Sequence, residues 1–190
     1  RGDETSRRTI WSVTKVFLST LVGIAIDQRL IEGLDQKLVD LFPEYRNSLN
    51  RGKASGITVR HLLTMSDGIS REENAEPDIG EALNDPPRAD PGTGFFYNLL
   101  SPQILSMAIT KTAGTSVLDF GRANLFSAMG IRDVTWESRS GLTIGGYGLH
   151  LTRRGIAKLG YVCVKGGVWD DKQIVSRDWI AESTRTQIEA

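Results

Sequence analysis

From Ser12 to about Leu30 the apolar residues fall at Val13, Val16, Phe17, Leu18, Leu21, Val22, Ile24, Ala25, Ile26 and Leu30. Wound into a helix they cover most of the circumference, which predicts a helix packed on several sides. Its polar residues, Ser12, Thr14 and Lys15, gather at the start. Polar groups on the first turn of a buried helix need a partner or a use. A turn through Gly33 leads to Asp35, which is expected to cap a short helix ending before Pro43. Leu49 to Gly56 is polar and reads as loop. Thr58 then caps a helix from Val59 to Met65 that ends near Gly68.

Residues 70–94 hold four prolines (Pro77, Pro86, Pro87 and Pro91) and many acids, predicting a long irregular excursion with one helical turn near Ile79 to Leu83. Long loops in compact domains are often functional. Beyond Pro91-Gly92-Thr93-Gly94, a helix from about Ser101 to Thr112 stops at Gly114, and another from Val117 to about Met129 stops at Gly130. Gly141 to Gly148 is glycine-rich, and Thr152 caps a helix ending at Gly166-Gly167. Val168-Trp169 and Gln173 to Val175 flank Asp170-Asp171 as a small hairpin. Ser176 caps a last helix containing Trp179 and Ile180. No internal repeat and no linker divides two cores, so residues 1–190 read as a single, mostly helical domain.

With 39% hydrophobic and 24% charged residues the chain is too apolar to be disordered. Twenty-three basic residues balance twenty-three acidic ones. That zero net charge argues against a general nucleic-acid or anionic-membrane binder. Arg7 and Arg8 ahead of an apolar run suggest a signal peptide, but Lys15, Ser19 and Thr20 interrupt the run and no small-x-small cleavage site follows. The run is also too short to span a bilayer. A lone cysteine, Cys163, permits no internal disulfide. His61, His150 and Cys163 lack the local spacing of metal ligands, so no metal is expected.

Ser12-Val13-Thr14-Lys15 is the first candidate for chemistry. Residues three apart on a helix share a face, so the hydroxyl and the amine can meet. A serine needs a base to become nucleophilic, and a lysine serves once its charged form is disfavoured. The helix start adds backbone N–H groups that favour developing negative charge. By itself an S-x-x-K match arises on the order of once by chance in a chain of this length. At this level a capping Ser12 beside a solvated Lys15 explains the residues equally well.

The chain offers more in order. The Ser12–Lys15 helix is followed by Ile57-Thr58-Val59-Arg60-His61-Leu62-Leu63-Thr64-Met65-Ser66-Asp67-Gly68, then by Pro91-Gly92-Thr93 with Tyr97. Gly145-Gly146-Tyr147-Gly148-Leu149-His150-Leu151-Thr152, Ala157-Lys158-Leu159-Gly160 and Gly166-Gly167-Val168-Trp169 complete the series. Together these resemble the serine β-lactamase and penicillin-recognising hydrolase family over nearly the whole chain. The spacing from Ser12 to Tyr97 is similar to that of the class C enzymes and their esterase and amidase relatives. The branch resembled most includes the 6-aminohexanoate-dimer hydrolases.

The resemblance implies an α+β, β-lactamase/transpeptidase-like fold, here mostly its helical part with much of the antiparallel sheet missing. It implies acyl transfer through a serine ester, with Ser12 as nucleophile and Lys15 and Tyr97 sharing the proton traffic. A Lys15 ammonium would favour a Tyr97 phenolate as base; a neutral Lys15 would itself be the base. A phenol packed against Phe95 and Phe96 is the structural alternative for Tyr97. The family's Tyr-x-Asn has Leu99 in its third position here, so its contact is absent or passes to Asn98 or Ser101. Asn98, Tyr147 and His150 are expected near substrate, with solvated loop positions as the alternative for the last two. Ser66-Asp67-Gly68 and Lys111-Thr112-Ala113-Gly114 echo catalytic motifs but fit helix ends, and His61 reads as a packed, hydrogen-bonded residue.

The substrate implied is a small amide or ester, with no cofactor. A non-catalytic relative that binds a ligand in the former cleft is the alternative. The missing Met, the few residues before Ser12 and the absence of a strand-like segment after Trp179 are read as truncation. Loss of a second oxyanion donor, at about 10²–10³ in rate, would leave the piece weak or inactive. Compartment and oligomeric state stay open, since family members occur in the periplasm, outside the cell and in the cytoplasm.

Overall fold

The computed structural model describes residues 6–49, 52–69 and 87–188. The helical turn expected near Ile79 to Leu83 lies outside the described residues. The short strand β1, Arg8–Thr9, leads through a 3-10 turn at Trp11–Val13 into α1, Thr14–Asp27. Two one-turn helices follow, α2 at Leu38–Leu41 and α3 at Arg46–Leu49, and then α4 at Val59–Leu63. The second long helix, α5, runs Leu100–Ala113, and α6 covers Val117–Gly121. Strands β2 (Thr135–Trp136), β3 (Ser138–Arg139), β4 (Leu142–Thr143) and β5 (Leu149–Leu151) come next. Helix α7, Arg153–Val164, the hairpin strands β6 (Val168–Trp169) and β7 (Lys172–Gln173), and α8, Arg177–Thr184, complete the order.

The core is built around α1, whose Phe17, Leu18, Leu21, Val22, Ile24 and Ala25 are buried. Helix α5 packs along it and contributes Ile104, Leu105, Ala108 and Ile109. One strip at the start of the helix departs from the burial its pattern predicts: Val16 on α1 is exposed, as are Trp11 and Val13 of the 3-10 turn before it. Gly23 faces the other way, where a methyl group would stand 2.5 Å from the Trp179 ring of α8. Gly23→Ala should therefore lower stability by about 1–2 kcal/mol, because overpacking a core outweighs the gain in helix propensity. Thermal melts of the two proteins check this.

Strands β1, β5 and β2 form an antiparallel sheet in that order, with Thr9 and Thr135 both opposite His150. Glycine-rich spacing gave no sign of β5, and two residues before Ser12 do pair as a strand. The Asp170-Asp171 hairpin forms as expected, with Val168 opposite Gln173; both aspartates take positive φ (48° and 58°), the pairing of a type I′ turn. Thr152 and Ser176 cap α7 and α8 through their side chains. Gly114 ends α5 in the left-handed region.

Two expectations need correction. Asp35 caps nothing: the cap position of α2 is Lys37, and Asp35 is instead ion-paired with Arg60 at 3.3 Å. The helix expected from Val117 to Met129 is α-helical only to Gly121, after which Arg122–Phe126 widens into a π turn. Phe126 at the end of that turn lies 6.0 Å from the Phe17 ring, centroid to centroid, inside the core.

Candidate active site

Ser12 sits in the middle of the 3-10 turn, directly after a strained residue. Trp11 has φ 49°, a conformation non-glycine residues adopt at a cost, and it is 71% exposed. The turn is sewn to β5 from both sides. Ile10 N–H donates to the Leu149 carbonyl at 3.0 Å, and Leu149 N–H donates to Thr14 Oγ1 at 3.4 Å. Thr14 is buried, so one polar residue of the first turn finds its use there.

Lys15, one helical turn on, donates from Nζ to Ser12 Oγ at 3.0 Å, to Tyr97 Oη at 3.0 Å and to the Gly146 carbonyl at 2.9 Å. Ser12 Oγ and Tyr97 Oη are themselves 2.7 Å apart. Three residues from two distant stretches thus share one hydrogen-bonded triangle. The phenol is not buried against Phe95 and Phe96, since Tyr97 is 41% exposed and Phe95 49%. Beside the triangle lies an open groove of about 370 Å³, lined by Val16, Thr20, Met65, Phe95 and Ile180 among others.

The Gly146 carbonyl is the partner that sequence reasoning missed. A backbone oxygen carries no residue signature; the trace it leaves is the glycine pair itself. A Cβ on Gly145 would stand 2.0 Å from the Pro102 carbonyl oxygen, and Gly145 N–H donates to Gln103 Oε1 at 2.9 Å. Only glycine lets the β4–β5 loop lie that close to the start of α5. Leu99 occupies the space next to Gly146, 2.9 Å from where a Cβ would be. In place of a side-chain amide on the lysine, the chain uses a main-chain oxygen with a leucine packed behind it.

The other expected residues are placed differently. Asn98 is 2% exposed and spends its amide inside the protein, so it is not open to substrate in this structure. Its Nδ2 donates to the Phe96 carbonyl at 2.8 Å, and its Oδ1 accepts the Ser101 N–H at 2.7 Å, capping α5. His150 is half-buried on β5 with Nε2 2.7 Å from Glu137 Oε1. Tyr147 is half-buried beside Gly146. Neither ring is hydrogen-bonded to Ser12, Lys15 or Tyr97 among the described residues.

The remaining motif residues are held by contacts inside the protein. His61 Nδ1 accepts the Thr58 N–H at 3.2 Å, and burial lowers the pKa of its ring. Ser66 is buried with its hydroxyl on Thr64 Oγ1 at 2.7 Å. Lys111 pairs with Glu44 at 2.6 Å and lies over the Phe42 ring. Asp67 is fully buried; its Oδ1 accepts the Ile69 N–H, its Oδ2 meets Ser101 Oγ, and burial pushes its pKa up to about 6. Among the described residues no group of three or more His, Cys, Asp or Glu is placed to hold a metal ion, and no helix is long and apolar enough to cross a membrane.

Against known proteins, the beta-lactamase family model matches residues 3–154. No curated protein gives a significant match to the sequence. Among solved structures, a beta-lactamase from Mycobacterium bovis superposes with a TM-score of 0.73 at 18% identity, over 98% of this chain and 56% of its own. An octameric penicillin-binding protein homologue from Pyrococcus abyssi gives 0.77 at 18% identity, over 100% and 51%. A family VIII carboxylesterase gives 0.76 at 19% identity, over 96% and 62%. At such identities the likeness is one of fold, and it bears out the expected β-lactamase/transpeptidase-like architecture. The chain spans between about half and three-fifths of the length of these structures.

Proposed function

The chain belongs to the beta-lactamase family, and from that premise we propose that it serves a serine hydrolase acting on small amides or esters. Ser12 is the nucleophile, and residues 1–190 form part of one catalytic domain. The observation that carries the reading is the triangle of Ser12 Oγ, Lys15 Nζ and Tyr97 Oη, closed at 2.7–3.0 Å.

Of the two candidate bases, we choose Tyr97. The three oxygens around Lys15 Nζ include the Gly146 carbonyl, which can only accept. We take Lys15 as the donor to all three, the reading in which it carries the charge and Tyr97 the proton. A Tyr97 phenolate is then the acceptor for the serine proton, at the shortest side of the triangle, becoming a neutral phenol, and Lys15 holds the positive charge beside it. Ser12 Oγ attacks the carbonyl carbon, its proton moves to Tyr97, and the tetrahedral intermediate expels an amine or alcohol that takes that proton. Water then hydrolyses the acyl-serine by the same route in reverse.

Within the family we place the chain beside the class C-like enzymes, in the branch holding the 6-aminohexanoate-dimer hydrolases and esterases. The Ser12–Tyr97 spacing and the ordered later segments support this. The groove beside Tyr97, whose lining carries no charged side chain but Lys15, supports short acyl esters and the linear 6-aminohexanoate dimer as substrates to try first.

A fluorophosphonate should add once, at Ser12, as read by intact-mass and peptide mass spectrometry, and Ser12→Ala should remove the adduct. A protein that stays unlabelled while folded would instead be the non-catalytic binder.

A further inference from the structure

Tyr97 reaches Ser12 from a short extended segment, and what fixes that segment is a buried polar chain behind it. Phe96 N–H donates to the Met65 carbonyl at 2.9 Å, and Asn98 Nδ2 donates back to the Phe96 carbonyl at 2.8 Å, so both neighbours of Tyr97 are tied. Asn98 is in turn held through Oδ1, which lies 2.7 Å from Ser101 N and 2.8 Å from Ser101 Oγ. Ser101 Oγ also lies 2.5 Å from Asp67 Oδ2. Asp67, Ser101 and Asn98 are each 2% exposed or less.

One hydroxyl hydrogen stands between two acceptors. When Asp67 is a carboxylate, the Ser101 hydrogen goes to it and Asn98 Oδ1 keeps only the Ser101 N–H. When Asp67 is neutral, it donates its own proton to Ser101, and the Ser101 hydrogen passes on to Asn98. The number of hydrogen bonds clamping Asn98 therefore follows the state of Asp67.

We propose that Asp67 is a positioning residue for Tyr97, acting through Ser101 and Asn98. The proposal rests on the reading of Tyr97 as the base for Ser12. Among the described residues, the elements hydrogen-bonded to 65–68 carry Arg60 and His61 on α4, Arg88 and Asp90 ahead of Gly92, and Tyr97 beside Phe96. Arg60 is paired with Asp35 and Glu182, and His61 is held by Thr58. The first turn of α5 brings no charge. Burial is the main cause of the raised Asp67 pKa, opposed by its hydrogen bonds to Ser101 and the backbone.

The test follows the phenol directly. Protein carrying tyrosine labelled with ¹³C at Cζ is titrated by NMR, with the Tyr97 signal assigned by Tyr97→Phe. The wild-type signal should show a step near pH 6, where Asp67 changes state. Asp67→Asn and Ser101→Ala should both lose that step, the first by fixing the neutral arrangement and the second by cutting the chain. The rate of fluorophosphonate labelling at Ser12 should change by about tenfold across the same step in wild type alone. A step that persists in either folded variant, or no step in wild type, overturns the proposal. If Ser12 never labels but the Tyr97 step behaves as expected, the hydrolase reading falls and the coupling stands. Normal labelling with no step has the opposite meaning.

Discussion

Tyr97→Phe should slow acylation of Ser12 by about 10²–10⁴-fold, the usual worth of a positioned proton-transfer group. The substitution removes one oxygen and little else. Lys15 keeps Ser12 Oγ and the Gly146 carbonyl as partners, and the ring remains on a half-exposed site where it supports no core. Thermal stability should therefore stay near that of wild type as the rate falls. The measurement is single-turnover labelling with a chromogenic ester or fluorophosphonate, beside a melt of each protein. Were Lys15 the base instead, the phenylalanine variant would keep most of its rate and Lys15→Met would lose it.

Asp67→Asn should remove a pH dependence of stability worth about 3 kcal/mol, from the gap between an ordinary carboxyl at 3.8 and the folded value of about 6. The raised value means the folded protein binds the Asp67 proton more tightly than the unfolded chain does. This contribution is fully present below about pH 4 and is lost as pH rises through about 6. Asparagine cannot ionise, donates to Ser101 as neutral Asp67 does, and keeps an oxygen for the Ile69 N–H. Wild type and variant should thus be similar near pH 4, with the variant the more stable near pH 7.5. Glu44, Asp119 and Glu182, whose pKa values are lowered by their partners, act in the opposite sense but equally in both proteins. Urea unfolding at the two pH values, taken as a difference between the proteins, isolates Asp67. Parallel pH profiles would show a carboxyl that meets water.

The parts of this arrangement that side chains specify were legible. Serine and lysine three apart announced a shared helical face, while the third corner, Tyr97, came only through the family resemblance and not from any local rule. Side-chain caps at Thr152 and Ser176, the stop at Gly114 and the Asp170-Asp171 turn were likewise readable, because each is a local rule. What escaped was set by distant backbone. Strands of two or three residues, such as β5, have no periodicity to detect, yet β5 fixes the seryl turn. Asn98 is expected near substrate because it stands one place before the family's Tyr-x-Asn position; only packing reveals that it faces inward while Tyr97 faces out. The role of Gly146 belongs to an oxygen every residue possesses, and Asp35 lost its expected cap to a stronger interest in Arg60.

The left-handed tryptophan ahead of Ser12 gives the molecule an optical reporter of its own. Trp136 and Trp179 are enclosed and Trp169 is partly covered, so the indole at position 11 is the one most open to aqueous quenchers. It is joined by a single peptide bond to the residue expected to carry the acyl group. Fluorescence from that ring can follow events at the adjacent hydroxyl in real time, with no dye attached.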